Sequence, residues 1–250
     1  MMPFIKHFVR AVYLPLCFAS IATVAQAQTV DYDGDNYLKI NVPALALKNI
    51  SLQYERPVGQ QISVALNVRY APTSDLPFKQ AFKNIIDDDE VSKQIDGLRT
   101  GNFVIAPEFR YYTGGQAGRG FYIAPYVRYA RYTAELPFRY DYNGTEKIFP
   151  LSGSLNAFSG GVMIGTQFKL SRLLYLDWWI IGGTYGTSSG RIDGRAPLDE
   201  NEQQALRNEL DEFKNGFIDT KYQVDQNGAT VDLDGKWVTA RLGLALGIRF

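Results

Sequence analysis

The sequence predicts an all-β chain, an eight-stranded antiparallel up-and-down transmembrane β-barrel with short helices in its extracellular loops. Three observations carry this prediction. The last fourteen residues read WVTARLGLALGIRF, with Leu242, Leu244, Leu246, Ile248 and Phe250 on one face and Arg241, Gly243, Ala245, Gly247 and Arg249 on the other. A period of two is a strand, because successive side chains point to opposite sides. Seven segments upstream repeat that period. The connections between them alternate short and long from Pro57 onward, the layout of membrane barrels with tight turns at one rim and long loops at the other.

The chain begins with a segment outside this pattern. Lys6 and Arg10 form a positive region, Ala11 to Val24 is apolar, and Ala25-Gln26-Ala27 is a small-x-small cleavage site. Residues 1–27 therefore read as a signal peptide and 28–250 as the barrel, with Sec-dependent export implied. Cleavage after Ala27 removes the only Cys, Cys17, and the only His, His7. It also takes Lys6 and Arg10 from 26 basic residues that balance 26 acidic ones, so no basic excess points to nucleic acid. Asp31, Asp33 and Asp35 imitate half of a calcium loop. The twelfth position, Val42, lacks the required glutamate, and the stretch reads as a solvated lead-in.

The strands then follow in order. Tyr37 to Ala46 alternates, with Leu38, Ile40 and Val42 outward. Ile50 to Arg56 sets Ile50, Leu52 and Tyr54 against Ser51, Gln53 and Glu55. After the turn Pro57–Gln60, Gln61 to Tyr70 sets Ile62, Val64, Leu66 and Val68 against Ser63, Ala65, Asn67 and Arg69. Residues 71–101 form a polar loop with an acidic run, Asp87–Glu90, and with Phe78, Phe82, Ile85 and Ile86 spaced for a short helix. Asn102 to Tyr112 sends Glu108 and Arg110 inward. After the turn Gly114–Arg119, Gly120 to Tyr132 sends Tyr126 and Arg128 inward. Pro43, Pro107 and Pro125 lie within these strands and must sit at bulges or strand ends.

Residues 133–154 read as a second polar loop. Leu155 to Leu170 is a strand with Gly165, Gln167 and Lys169 inward. Ser171-Arg172 turns. Leu173 to Thr187 is a strand with Asp177, Trp179, Gly183 and Tyr185 inward. Residues 188–236 form the longest and most acidic loop. Leu198 to Gly216 inside it has helical spacing at Leu206, Leu210 and Phe213. The terminal strand completes eight, an even number that puts both ends of the barrel at the short-turn rim and lets first and last strands pair.

The terminal Phe250 with Leu244, Leu246 and Ile248 before it resembles the C-terminal assembly signal of bacterial outer-membrane barrels. The chain as a whole resembles the eight-stranded barrels of the OmpA, OmpX and OmpW type. Lys39-Ile-Asn-Val42, Leu52-Gln-Tyr-Glu55, Pro107-Glu-Phe-Arg-Tyr-Tyr112 and Asp177-Trp-Trp look like a small outer-membrane barrel family of unknown function. The resemblance implies location in the outer membrane, contact with its lipid, and use of the barrel assembly machinery through the C-terminal strand. It brings no catalytic residues, metal ligands or cofactor.

The inward face gathers Lys39, Asn41, Gln53, Asn67, Gln167 and Lys169 around a polar network expected of Glu55, Arg69, Glu108, Arg110, Arg128, Asp177 and Arg241. The three carboxylates are expected to pair with Arg69, Arg110 and Arg128. An enzyme is not expected, since no His remains to serve as base, and the run Asp87–Glu90 reads as solvated charge. The preferred role is a structural, anchoring or interaction barrel with a protein or glycan partner at the extracellular loops. The alternatives are a narrow channel or lateral transporter for small apolar molecules, and a soluble lipocalin-like binder, which would reverse the two faces.

Overall fold

The last strand returns to the first. In a computed structural model describing residues 36–80, 83, 95–142, 145–212 and 218–250, Tyr37 lies opposite Arg249 and Asn41 opposite Ala245, antiparallel. The nine strands are β1 (Tyr37–Asn41), β2 (Ile50–Pro57), β3 (Ile62–Asp75), β4 (Arg99–Tyr112), β5 (Gly120–Tyr142), β6 (Thr145–Lys169), β7 (Leu174–Arg195), β8 (Ile218–Asp225) and β9 (Gly228–Arg249). Strands β1 to β7 and β9 close a ring of eight, while β8 pairs only with the far end of β9. Closure leaves the wall without a free edge at the short-turn rim. There Phe250 donates its amide to Asn36 O at 2.9 Å and accepts from Asn36 N at 3.0 Å.

The expected alternation holds over most of the wall. Ser51, Gln53 and Glu55 are buried inside, and Ile50, Leu52 and Tyr54 are exposed outside. It slips once. A bulge in β7 shifts the register by one between Trp179↔Gly243 and Gly182↔Arg241, and the β6 pairing shifts at the same place. One inserted residue reverses the faces. Tyr185, expected inward, is therefore 61 % exposed, Gly183 also faces out, and Thr184 is buried in their place.

The three prolines find two local solutions. Tyr37–Ala46 is not one strand. It ends at Asn41, which caps helix α1 (Val42–Ala46) by accepting from Ala44 N at 3.0 Å, and Pro43 occupies the first turn, where an amide is dispensable. Pro107 and Pro125 both fall in the β4–β5 seam. Its register is continuous to Ile105↔Tyr129, holds only at Glu108↔Tyr126, and resumes at Tyr111↔Ile123. A proline removes a ladder bond, and sharing one seam confines the loss.

The long loops are mostly sheet. Residues 133–154 are not a loop: β5 and β6 stay paired to Tyr142↔Thr145. Of 188–236, β7 takes the start, β8 and β9 form a hairpin, and helix α2 (Glu200–Glu212) lies between. Asp199 caps α2, with Glu202 N donating to Asp199 Oδ1 at 2.8 Å and Asp199 N to Glu202 Oε2 at 2.9 Å, a reciprocal box. Leu206 faces a buried cluster of Phe149, Leu198, Val224 and Ala229, so the far rim carries a folded cap with a core of its own. Residues 71–101 are shortened by β3 and β4. The expected signal peptide 1–27, the acidic lead-in Asp31–Asp35, Phe82, Ile85, Ile86, the run Asp87–Glu90 and Phe213 lie outside the described residues.

The half of the barrel interior nearer the short-turn rim is filled. Tyr112, Tyr122, Tyr126, Met163 and Trp179 pack together, and small inward residues make the room. A Cβ on Gly243 would stand 2.5 Å from the Trp179 ring, one on Gly247 2.6 Å from the Lys39 stem, and one on Gly165 2.3 Å from the Tyr122 hydroxyl. Below them, Tyr37 meets Tyr175 edge-on at 4.9 Å, and the β4–β5 turn folds under the rim, its Ala117 amide bonded to Gln60 O.

Candidate functional site

Alternation and closure bring charge from five strands to one level of the lumen. Lys39 on β1 donates to Glu55 on β2, to Gln167 Oε1 on β6 at 2.6 Å and to Asp177 Oδ2 on β7 at 2.7 Å. Arg110 on β4 reaches Asp177 at 2.7 Å, Glu55 at 3.0 Å, Gln53 at 2.9 Å and Glu108 at 2.9 Å. Arg241 Nη2 on β9 lies 2.6 Å from Glu108 Oε1, close enough for an ion pair but out of line for a hydrogen bond. Three cations thus meet three carboxylates. The side chains of Lys39, Arg110, Glu55, Glu108 and Asp177 have no solvent exposure.

Neutral groups complete the carboxylate shells. Tyr112 donates to Glu55 at 2.6 Å, Ser63 to the same oxygen at 2.5 Å, Tyr122 to Asp177 at 2.7 Å, and Gln53 to Glu108 at 3.1 Å. The Arg110 guanidinium also lies 4.4 Å from the Tyr122 ring centroid. Charges removed from water repay their desolvation only where further hydrogen bonds accompany the ion pair, and this network meets that condition.

Of the expected network residues, Glu55, Glu108, Arg110, Asp177 and Arg241 come together. Arg69 and Arg128 pair with no carboxylate among the described residues. Arg69 donates to Asn102 Oδ1 at 3.1 Å, and Arg128 to the Tyr132 hydroxyl at 2.7 Å and Thr239 Oγ1 at 3.5 Å. The reason is height. Arg69 lies opposite Val104 and Arg128 opposite Ser159, further from the short-turn rim than Glu55 and Asp177. Lys39 takes the place expected of them. The missed partners Tyr112 and Tyr122 have a signal in the sequence: Tyr112 is two residues from Arg110, and Tyr122 two from the inward site below Tyr126.

Beyond the network a second space opens, a cavity of about 180 Å³ bordered by Arg69, Arg128, Arg241, Tyr126 and Trp179. Arg241 lies 4.3 Å from the Trp179 ring and 5.1 Å from that of Tyr126. Among the described residues no cluster of His, Cys, Asp and Glu could hold a metal ion. The terminal residues Leu244, Leu246, Ile248 and Phe250 lie on β9 and at its end, next to β1 and β7.

Comparison with known proteins supplies a family. The model of a family described as protein of unknown function (DUF3575) matches residues 13–204. The chain belongs to this family. For DUF3575 the description names no activity, and no curated protein matches the chain. A crystal structure of a major outer membrane protein from Thermus thermophilus matches with 14 % identity, over 86 % of this chain and 99 % of that one, at a TM-score of 0.38. The geometry of this DUF3575 barrel therefore carries the functional reading.

Proposed function

We propose that the chain is an outer-membrane β-barrel that anchors a folded extracellular cap and acts as a structural or interaction protein through it. The observation that carries this reading is the inversion of the two faces. Outside, Phe158 is 61 % and Val238 70 % exposed, within a belt of aliphatic and aromatic side chains; inside, the largest wholly buried groups include Arg110, Lys39, Gln53 and Glu55. A soluble lipocalin-type barrel needs the reverse. In water such a belt is a large aggregation liability, whereas in hydrocarbon it is the solvated surface. Closure of the wall supports the same reading, since lipid offers no partner to a free backbone edge.

The role follows from where the lumen is full and where the chain is elaborated. Eight strands leave room for little beyond side chains, and Lys39, Arg110 and the tyrosines block the lower lumen, which favours anchoring over conduction. The three lumen carboxylates are bound by cations, and we assign them no catalytic part. The cap built from α2, β8 and the ends of β6, β7 and β9 is the natural surface for a protein or glycan. The likeness to OmpA-, OmpX- and OmpW-type barrels is supported by the eight wall strands. Export as a Sec substrate and assembly through the C-terminal strand belong to the same proposal. A second reading, lateral passage of small apolar molecules, is favoured by one feature: β1 stops at Asn41 while β9 runs on past it.

The test is fractionation. The mature protein should be recovered from outer membranes, refold in detergent, and migrate differently on gels before and after boiling. In liposomes it should leave solute permeability unchanged. Recovery as a detergent-free soluble monomer overturns the membrane reading, and rapid solute flux overturns the anchoring one.

A further inference from the structure

We propose that the upper lumen is an anion-binding vestibule, entered through the wall between β1 and β9, that takes the phosphate or carboxylate head of an amphiphile. This rests on the outer-membrane reading and adds a ligand class to it. The first observation is charge. Arg69, Arg128 and Arg241 border one cavity of about 180 Å³, and among the described residues the only carboxylate holding any of the three is Glu108, through Arg241. With Arg241 counted into the charge-balanced network below, the excess positive charge at the cavity is that of Arg69 and Arg128.

The second observation is independent. Trp179 is 3 % and Tyr126 4 % exposed, and both border the cavity. Among the described residues the Trp179 Nε1 and the Tyr126 hydroxyl have no hydrogen-bond partner, and neither does Arg241 Nη1. An indole N–H and a guanidinium only donate. A buried donor left unpaired is costly, so this group of donors calls for acceptor oxygens. A phosphate or carboxylate supplies them together with the missing charge.

The third observation is the way in. Strand β1 pairs with β9 only from Arg249 down to Ala245, and β8 pairs with β9 only from Gly235 to Gly228. Between them, Lys236 to Leu244 has no strand partner on that side among the described residues, and there helix α1 rather than a strand packs against β9. The cavity reaches this gap, for its border runs from Asn41, Pro43 and Leu47 on one side to Thr239 and Leu242 on the other. The outer flanks are apolar and open: Leu242 is 66 % and Leu47 47 % exposed. At about 30 Å³ per water, the cavity holds a headgroup and not an acyl chain. The chain would lie outside, along Leu242 and Leu47, in the apolar belt.

The experiment uses the refolded mature barrel in a neutral maltoside detergent. Dodecyl phosphate and inorganic phosphate are titrated separately, with binding read by calorimetry and by the temperature at which the gel band shifts. Dodecyl phosphate should bind and raise that temperature, inorganic phosphate should bind at least about tenfold more weakly, and the R69Q/R128Q variant should lose about tenfold or more in affinity for both. These two arginines hold no carboxylate among the described residues, so the variant should keep the gel shift that marks a folded barrel. A folded barrel that binds neither phosphate overturns the vestibule. Equal affinity for the two phosphates overturns the amphiphile and leaves a free-anion site. Unchanged binding in the variant overturns the assignment to the arginines. Loss of the gel shift in the parent protein instead counts against the membrane reading beneath.

Discussion

Lys39 and Asp177, 138 positions apart in the chain, meet at 2.7 Å in the centre of the lumen. Arg110 binds the same carboxylate oxygen from a third strand, also at 2.7 Å. This shared oxygen ties β1, β4 and β7 together across the interior, which wall hydrogen bonds between neighbouring strands cannot do.

Removing the shared carboxylate should therefore be costly. The Asp177→Asn change leaves Lys39, Arg110 and Arg241 facing only Glu55 and Glu108. Breaking a buried pair on one side costs about 3–5 kcal/mol. The temperature at which the folded band converts should fall clearly. Adding Lys39→Met restores the balance, and the double variant should be more stable than the sum of the single losses. Strict additivity would mean that the two side chains do not interact.

The closing bond at the short-turn rim makes a separate prediction. Phe250 and Asn36 exchange both backbone hydrogen bonds. Deleting Phe250 removes this pair and the terminal aromatic of the outward stripe. Assembly into the membrane should slow, as read by pulse-labelled appearance of the heat-modifiable form. An unchanged rate would separate the residue from assembly.

How much of this is legible in the sequence depends on the physics involved. The period of two exposes which face each residue takes, so Glu55, Glu108, Arg110 and Asp177 are readable as inward neighbours. Height along the barrel is not, because it depends on register between strands. Arg69 and Arg128 accordingly read as partners of carboxylates that lie below their reach. The β7 bulge is hidden for a similar reason: Trp178-Trp-Ile-Ile181 is apolar throughout and shows no break in alternation. The extension of β5, β6 and β7 escapes the pattern because, on the proposed membrane reading, it stands clear of the lipid. Outside lipid a strand no longer needs an apolar face, and Glu135 or Arg191 on such a strand reads as loop. The capping box at Asp199 and Glu202 stands in the sequence as D-x-x-E and fixes a helix start two residues from the one inferred from Leu198.

Acid should release the cap before it releases the barrel. The Lys147 ammonium, followed by the Asp199 backbone amide, holds the Glu202 carboxyl below its ordinary range. A carboxyl depressed in the folded state adds stability above its unfolded pKa, about 4.3, and that stability is lost as pH falls through the lower folded value. Hydrogen-exchange protection of α2, corrected for intrinsic rates, should hold from pH 7 to about 5 and decline below about 4, while β2 to β4 stay protected. The Glu202→Gln variant should lack this step. A decline of α2 and the barrel together would mean that the cap does not unfold on its own.

The topology can be read with single cysteines. The chain's only cysteine, Cys17, lies in the expected signal peptide, so processed protein should give no thiol signal. Gln226 is exposed in the β8–β9 turn at the cap, and Gln116 is exposed in the β4–β5 turn at the opposite rim. Longer connections of outer-membrane barrels face out and tight turns face the periplasm. A membrane-impermeant maleimide should therefore label Gln226→Cys on intact cells and Gln116→Cys only after the outer membrane is opened. Both substitutions replace exposed side chains in turns, where an effect under about 0.5 kcal/mol is expected, so heat-modifiable migration should persist and certify each sample. Labelling of Gln116→Cys alone on intact cells would invert the barrel, leaving the cap in the periplasm and its partner among envelope proteins. Labelling of the parent chain would show that Cys17 is retained, and with it the segment assigned to export.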